Sequence, residues 1–148
     1  MTRPVRAILI DPFACTVSDV ETDADDYRDL YRLLSHPTMT VDLFDRCYFD
    51  GLAGRDALFF DDEGLLKPCA RFFQLVSLSH GRPLTGPHAG KGIVVGANSD
   101  GDTDAAVTSL EYVAERIKFL HHVGGGRLFQ TRLPLTTRQA EHLPDALM

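Results

Sequence analysis

Val5-Arg6-Ala7-Ile8-Leu9-Ile10-Asp11-Pro12-Phe13-Ala14-Cys15-Thr16-Val17-Ser18-Asp19-Val20-Glu21 sets the architecture of this chain. Residues 5–10 are apolar and rich in β-branched side chains, which marks a buried strand, and Asp11-Pro12 stops it. Residues 16–21 alternate weakly and read as a second, mixed strand. The short link through Asp11-Pro12-Phe13-Ala14 folds the two into a hairpin. A chain that opens on a hairpin rather than on a strand–helix–strand unit points away from a parallel sheet.

The pattern continues outward from there. Asp23-Ala24-Asp25-Asp26 predicts a helix start, because acidic groups suit the positive end of the helix dipole. Tyr27, Leu30, Tyr31 and Leu34 then make one apolar stripe, which His36-Pro37 ends. Residues 40–44 read as a strand, and Gly51 and Gly54 as a loop. Residues 55–60 form a strand that runs into Asp61-Asp62-Glu63-Gly64. With Leu65-Leu66 returning, a hairpin with a left-handed Gly64 is expected. Residues 72–76 fit a strand or a short helix. Residues 79–92, punctuated by glycine and proline, read as a loop, and residues 93–95 as a short buried strand closed by Gly96. Asn98 to Asp104 is turn-like. Thr108-Ser109-Leu110-Glu111 matches a capping box ahead of a helix carrying Leu110, Val113, Ala114 and Ile117. The fold class expected is α+β: a small, mainly antiparallel sheet with two helices and a C-terminal arm. Residues 1–123 form the domain, and residues 124–148 a glycine-linked arm or tail.

Composition bounds the function. The chain has 148 residues, 44% hydrophobic and 24% charged, which suits one globular domain. No apolar run approaches the roughly 20 residues of a membrane-spanning helix. The apolar part of residues 1–13 is too short for a secretory signal. The three cysteines, Cys15, Cys47 and Cys69, are odd in number and form no CxxC, so reduced thiols and a cytoplasmic location are expected. Net charge is −6, divided into −8 over residues 1–64 and +2 over residues 65–148. An acidic first half repels phosphate and disfavours duplex DNA.

Several segments, taken in order, resemble a family of small uncharacterised proteins common in bacteriophages, plasmids and integrated mobile elements. They are Ile8-Leu9-Ile10-Asp11-Pro12, then residues 56–66 ending in the DDEGLL run, Arg82-Pro83-Leu84, Gly90-Lys91-Gly92-Ile93-Val94-Val95-Gly96, and a helix near Ser109-Leu110-Glu111. The resemblance spans residues 3–120, with residues 85–89 as an insertion. The family has no established activity and brings no catalytic residues. It implies an accessory gene of a mobile element, a class that includes inhibitors of host defence.

Candidate chemistry is sparse. Gly86-Pro87-His88-Ala89-Gly90-Lys91 approximates a phosphate loop but has the wrong glycine spacing. Gly92 also stands where Ser or Thr would hold magnesium. A looser anion contact by Arg82, Lys91 and Arg127 is the alternative reading. The basic stretch of residues 115–148 offers Phe119 and Phe129 as stacking partners for a nucleic acid, against the rival reading that it packs on the acidic first half. Asp100, Asp102, Asp104 and Glu111 sit at positions 1, 3, 5 and 12 of a calcium loop, yet Ala105 replaces the glycine its sharp turn needs. The histidines and cysteines show no ligand spacing, and no nucleophile motif occurs, so neither a metal nor a cofactor is assigned. The remaining signal is acidic. Asp45, Asp50, Asp56, Asp61, Asp62 and Glu63 make a face that would attract a basic protein surface. The expectation is a protein that acts by binding, with a host protein of basic surface as partner and inhibition of a defence or regulatory complex as outcome. Nucleotide capture and metal-dependent catalysis are the alternatives. The glycine-broken arm also allows a homodimer by strand exchange.

Overall fold

A computed structural model describes residues 2–48, 51–69, 71–123, 127–130 and 135–136, with side chains through His121. In chain order the elements are β1 (Pro4–Asp11), β2 (Thr16–Asp23), α1 (Arg28–Leu34), β3 (Phe44–Cys47), β4 (Ala57–Asp61), a single 3-10 turn (Gly64–Leu66), β5 (Arg71–Val76), β6 (Pro83–Ala89), β7 (Gly92–Ala97), β8 (Thr103–Asp104), α2 (Leu110–Arg116), β9 (Ile117–Val123), β10 (Arg127–Gln130) and β11 (Leu135–Thr136). The fold is α+β, and the strands are mostly antiparallel.

The opening hairpin forms as expected, with Ile10 opposite Val17 and Pro4 opposite Asp23. Its turn is built by Asp11, whose Oδ1 accepts the backbone N–H groups of Phe13 and Ala14 at 2.9 and 3.2 Å. Cys15 closes it in the left-handed region, at φ 56°. β2 runs on to Asp23, so the acidic run 23–26 forms a turn instead of the first turn of the helix. Asp23 Oδ1 there accepts the N–H groups of Arg3 and Asp25, both at 3.0 Å. α1 starts later but keeps its stripe: Leu30 and Leu34 are buried, and Tyr31 packs on Phe44 at 4.6 Å. Tyr27, by contrast, is exposed.

β1 lies in the middle of a seven-stranded sheet ordered β11-β2-β1-β7-β4-β3, with β8 paired to β7. Among the described residues, only β11 runs parallel to its neighbour, β2. A second sheet is ordered β10-β9-β5-β6. Strand parity sorts the side chains into layers. Ile8, Ile10, Leu58 and Val94 point to one face of the large sheet, where they meet Phe73, Leu75 and Phe119 of the small sheet and Val113 of α2. Ala7, Ile93, Val95 and the half-buried Phe59 point to the other face, under Leu30 and Leu34 of α1. The central strands are covered on both sides, which is why β1 and β7 read as unbroken apolar runs rather than alternating ones.

Four expectations are corrected. Residues 79–92 contain a strand. β6 pairs with β5 at the edge of the small sheet, where proline is tolerated because the outward N–H has no partner to serve. Leu65-Leu66 does not return as a hairpin strand; it belongs to the 3-10 turn, and Gly64 is buried against Ala89. The strand expected over 40–44 forms four residues later, at β3, because Val41 is instead buried against α1. The N-cap of α2 is Ser109, whose Oγ accepts the N–H of Tyr112 at 3.1 Å, and the helix gives way to β9 at Ile117. The segment beyond the glycine break contributes β10 to the small sheet and β11 to the large one.

Candidate functional site

The six carboxylates expected on one acidic face separate into different environments. Asp56 is buried and receives the backbone N–H of Val107 at 3.2 and 3.0 Å and that of Thr108 at 2.7 Å. Thr108 Oγ1 in turn accepts the N–H of Ala53 at 3.0 Å. Asp56 therefore ties the loop before β4 to the loop before α2. β7 runs so close that a Cβ on Gly96 would fall 2.5 Å from Ala105 O and 2.9 Å from Asp56 Oδ1. Asp61 is buried as well. Its Oδ2 accepts Lys67 Nζ at 2.6 Å and its Oδ1 the N–H of Glu63 at 2.9 Å, while Lys67 Nζ also donates to Thr40 O at 2.7 Å. These two carboxylates belong to the interior and are removed from the acidic face. Asp50 lies outside the described residues.

What remains on the surface is a smaller and more specific arrangement. The Asp62 N–H donates to Leu43 O at 3.0 Å, which joins residues 42–45 to the 3-10 turn. Asp42, Asp45, Asp62 and Glu63 are exposed around this junction. So are three leucines: Leu43 at 46%, Leu65 at 68% and Leu66 at 87% of full exposure. The result is an apolar prominence fringed by carboxylates. The DDEGLL run suggests acidity, but the sequence does not show that its leucines face outward, since a strand would have buried one of them.

Comparison with protein-family models, curated proteins and solved structures returned no match. The function therefore rests on the residues themselves.

The other sequence candidates do not converge. Arg82 and Lys91 stand beyond opposite ends of β6, about 20 Å apart along a strand of that length. Lys91 Nζ is half-buried, 3.9 Å from Asp11 Oδ2, and the side chain of Arg127 lies outside the described residues. Residues 86–89 belong to a strand, so they form no phosphate loop. Asp100 and Asp102 sit in the tight turn between β7 and β8, where Asn98 Oδ1 accepts both of their N–H groups. Asp104 lies 3.9 Å from Arg3 Nη1. Glu111 is in the first turn of α2. Among the described residues, no group of three or more His, Cys, Asp or Glu side chains is placed to hold a metal ion. No described helix is long and apolar enough to cross a membrane.

The structure does assemble one chain of reactive groups. Cys47 Sγ lies 3.5 Å from Thr85 Oγ1, which lies 2.7 Å from His88 Nε2. Thr85 and His88 are three residues apart on β6 and would ordinarily point to opposite faces. The register shift against Phe73 and Leu75 brings them together, which no sequence spacing reveals. His88 is packed between the rings of Phe60 and Phe73, at 4.3 and 5.0 Å, and burial lowers its pKa to about 4. Burial raises the pKa of the Cys47 thiol; the hydrogen bond with Thr85 opposes the rise and the charge of Asp45 adds to it. Both shifts oppose moving the thiol proton to this imidazole. A catalytic thiol has the opposite tuning. The relay is a buried, satisfied polar contact rather than a nucleophile with its base.

Proposed function

We propose that the protein acts by binding another protein through the leucine prominence of residues 42–45 and 62–66. The observation that carries this reading is the outward display of Leu65 and Leu66 beside Leu43, inside a fringe of four carboxylates. An apolar centre gives an interface its desolvation energy, and a charged rim gives it orientation and association rate. The complementary surface is an apolar pocket with lysines or arginines around its mouth. The resemblance to mobile-element proteins supports a host protein as that partner, with inhibition of a defence or regulatory complex as the consequence.

The test is quantitative capture of host proteins on the immobilised full chain, alongside Leu65→Ser/Leu66→Ser and Asp62→Lys/Glu63→Lys. One set of basic proteins, held by the unmodified chain and lost from both variants and in high salt, supports the reading. A retained set that neither variant changes refutes it. Sedimentation of the purified chain separates the remaining occupant: a dimer that L65S/L66S dissolves would assign the prominence to a second copy.

A further inference from the structure

We infer that a cleft on the opposite end of β3 binds a nucleotide unit, with its phosphate on Arg46 and Arg55 and its base stacked on Tyr48. This site is independent of the leucine prominence.

Parity builds it. Phe44 and Arg46 leave β3 on the face that carries α1, and Tyr48 continues the alternation just past the strand end. Ala57 and Phe59 do the same along β4, where Phe59 is the register partner of Arg46, and Arg55 stands in the turn just before that strand. α1 covers the sheet near Phe44 and leaves the end around Arg46 open. The opening is a cavity of about 370 Å³ bordered by Arg46, Tyr48, Gly54, Arg55, Ala97 and Asn98. A cavity of that size falls in the range of small-molecule sites. A narrow hollow of about 20 Å³ continues the opening down to the buried residues Ala57, Val95 and Gly96.

The charge of the cleft runs against the charge of the protein. The chain has 21 acidic residues and a net charge of −6, yet among the described residues that border this opening none is acidic. Arg55 Nη1 donates to the backbone oxygen of Asn98 at 2.9 Å, which aims the guanidinium without neutralising it. Among the described residues, neither Arg46 nor Arg55 makes an ion pair, whereas Arg3, Arg6, Arg28 and Arg32 all do. Two unneutralised guanidinium groups at one mouth suit a phosphate, which they can meet with paired N–H donors. Tyr48 is 64% exposed beside them, although an unpartnered aromatic ring is disfavoured in water. An exposed ring next to arginines is the arrangement that stacks a nucleobase. An acidic peptide would use the arginines and leave the ring idle. The anion site thus lies on β3 and β4, away from the glycine-rich segment where the sequence suggests it.

The test is titration calorimetry of the full chain with the four ribonucleoside monophosphates, adenosine triphosphate, adenosine, inorganic phosphate, a thymidine octamer and a glutamate octapeptide. Nucleotides are expected to bind at least about tenfold more tightly than phosphate, adenosine or the peptide, and less tightly as salt rises. Binding by the octamer in excess of the mononucleotides assigns a single strand as source, and the reverse a free nucleotide. Arg46→Glu/Arg55→Glu abolishes binding while the circular dichroism spectrum is kept. Tyr48→Ala weakens it about tenfold and Tyr48→Phe leaves it unchanged. Millimolar or weaker binding of every nucleotide and the octamer overturns the inference. So does nucleotide binding no tighter than phosphate or the peptide, or binding that survives both the double arginine variant and Tyr48→Ala.

Discussion

Asp61 and Asp62 are adjacent in the chain and opposite in circumstance. Asp61 is buried under Lys67 and the Glu63 N–H; Asp62 stands in solvent beside two bare leucines. The same contrast separates Asp56, which clamps two loops, from Asp45, which faces out from an edge strand. Two carboxylates therefore hold the interior together, and the others stand in solvent. Formal charge alone does not distinguish them. Backbone donors do: a buried carboxylate is stable only where N–H groups or a cation converge on it.

The contrast breaks most sharply at Asp56. Asp56→Ala strands the N–H groups of Val107 and Thr108, and its cost is expected to be about 3–4 kcal/mol in urea unfolding. Asp62→Ala, measured the same way, should stay within about 0.5 kcal/mol. Gly96→Ala tests the clamp from the strand side. Its methyl would displace Ala105 O, and a loss of about 2–4 kcal/mol is expected where an open glycine such as Gly101 has room for a Cβ. Lys67→Met leaves Asp61 buried without its cation and should cost about 3 kcal/mol; adding Asp61→Asn should restore most of that.

His88 sharpens the comparison by pH. Its folded pKa of about 4 lies below the ordinary 6.5, so between these values the unfolded chain holds more protons. Stability is then complete above pH 6.5 and falls as the pH drops toward 4, by about 3 kcal/mol in all. Urea midpoints for the unmodified chain and His88→Gln should diverge in this window and run parallel above it. Asp29, whose carboxyl is held below its usual range first by the Arg32 guanidinium, loses its contribution only at lower pH. The smallest effect is expected at the prominence: Leu66→Ser changes unfolding by less than about 0.5 kcal/mol while reducing partner capture.

Local signals carried much of the fold. The β1–β2 hairpin, the buried stripe of α1, the apolar run of β7 and the existence of α2 all follow from periodicity and from residues close in sequence. β6 and β9 did not, because each is a strand by virtue of a partner elsewhere. β6 holds glycine and proline that only an edge position tolerates, and β9 continues directly from a helix whose apolar spacing runs through Ile117. The site was less legible still. The donors that bury Asp56 lie more than 50 residues away. The arginines of the cleft meet because β3 pairs with β4 and the turn before β4 carries Arg55 beside Arg46, and the relay to His88 depends on a register shift. Such placements depend on long-range pairing, and a linear reading reports only composition at those positions.

The position of β1 also bears on synthesis. One of its edges is matched at once by β2, but the other waits for β7, whose residues Gly92–Val94 pair with Ile10–Ile8. At about 5–20 residues per second, roughly 3–14 s pass between translation of Asp23, which completes the hairpin, and of Gly92. Throughout that interval the nascent hairpin presents an unsatisfied, aliphatic rim to the crowded surroundings of the ribosome, so demand on holding chaperones should peak early in translation and drop once residue 97 emerges.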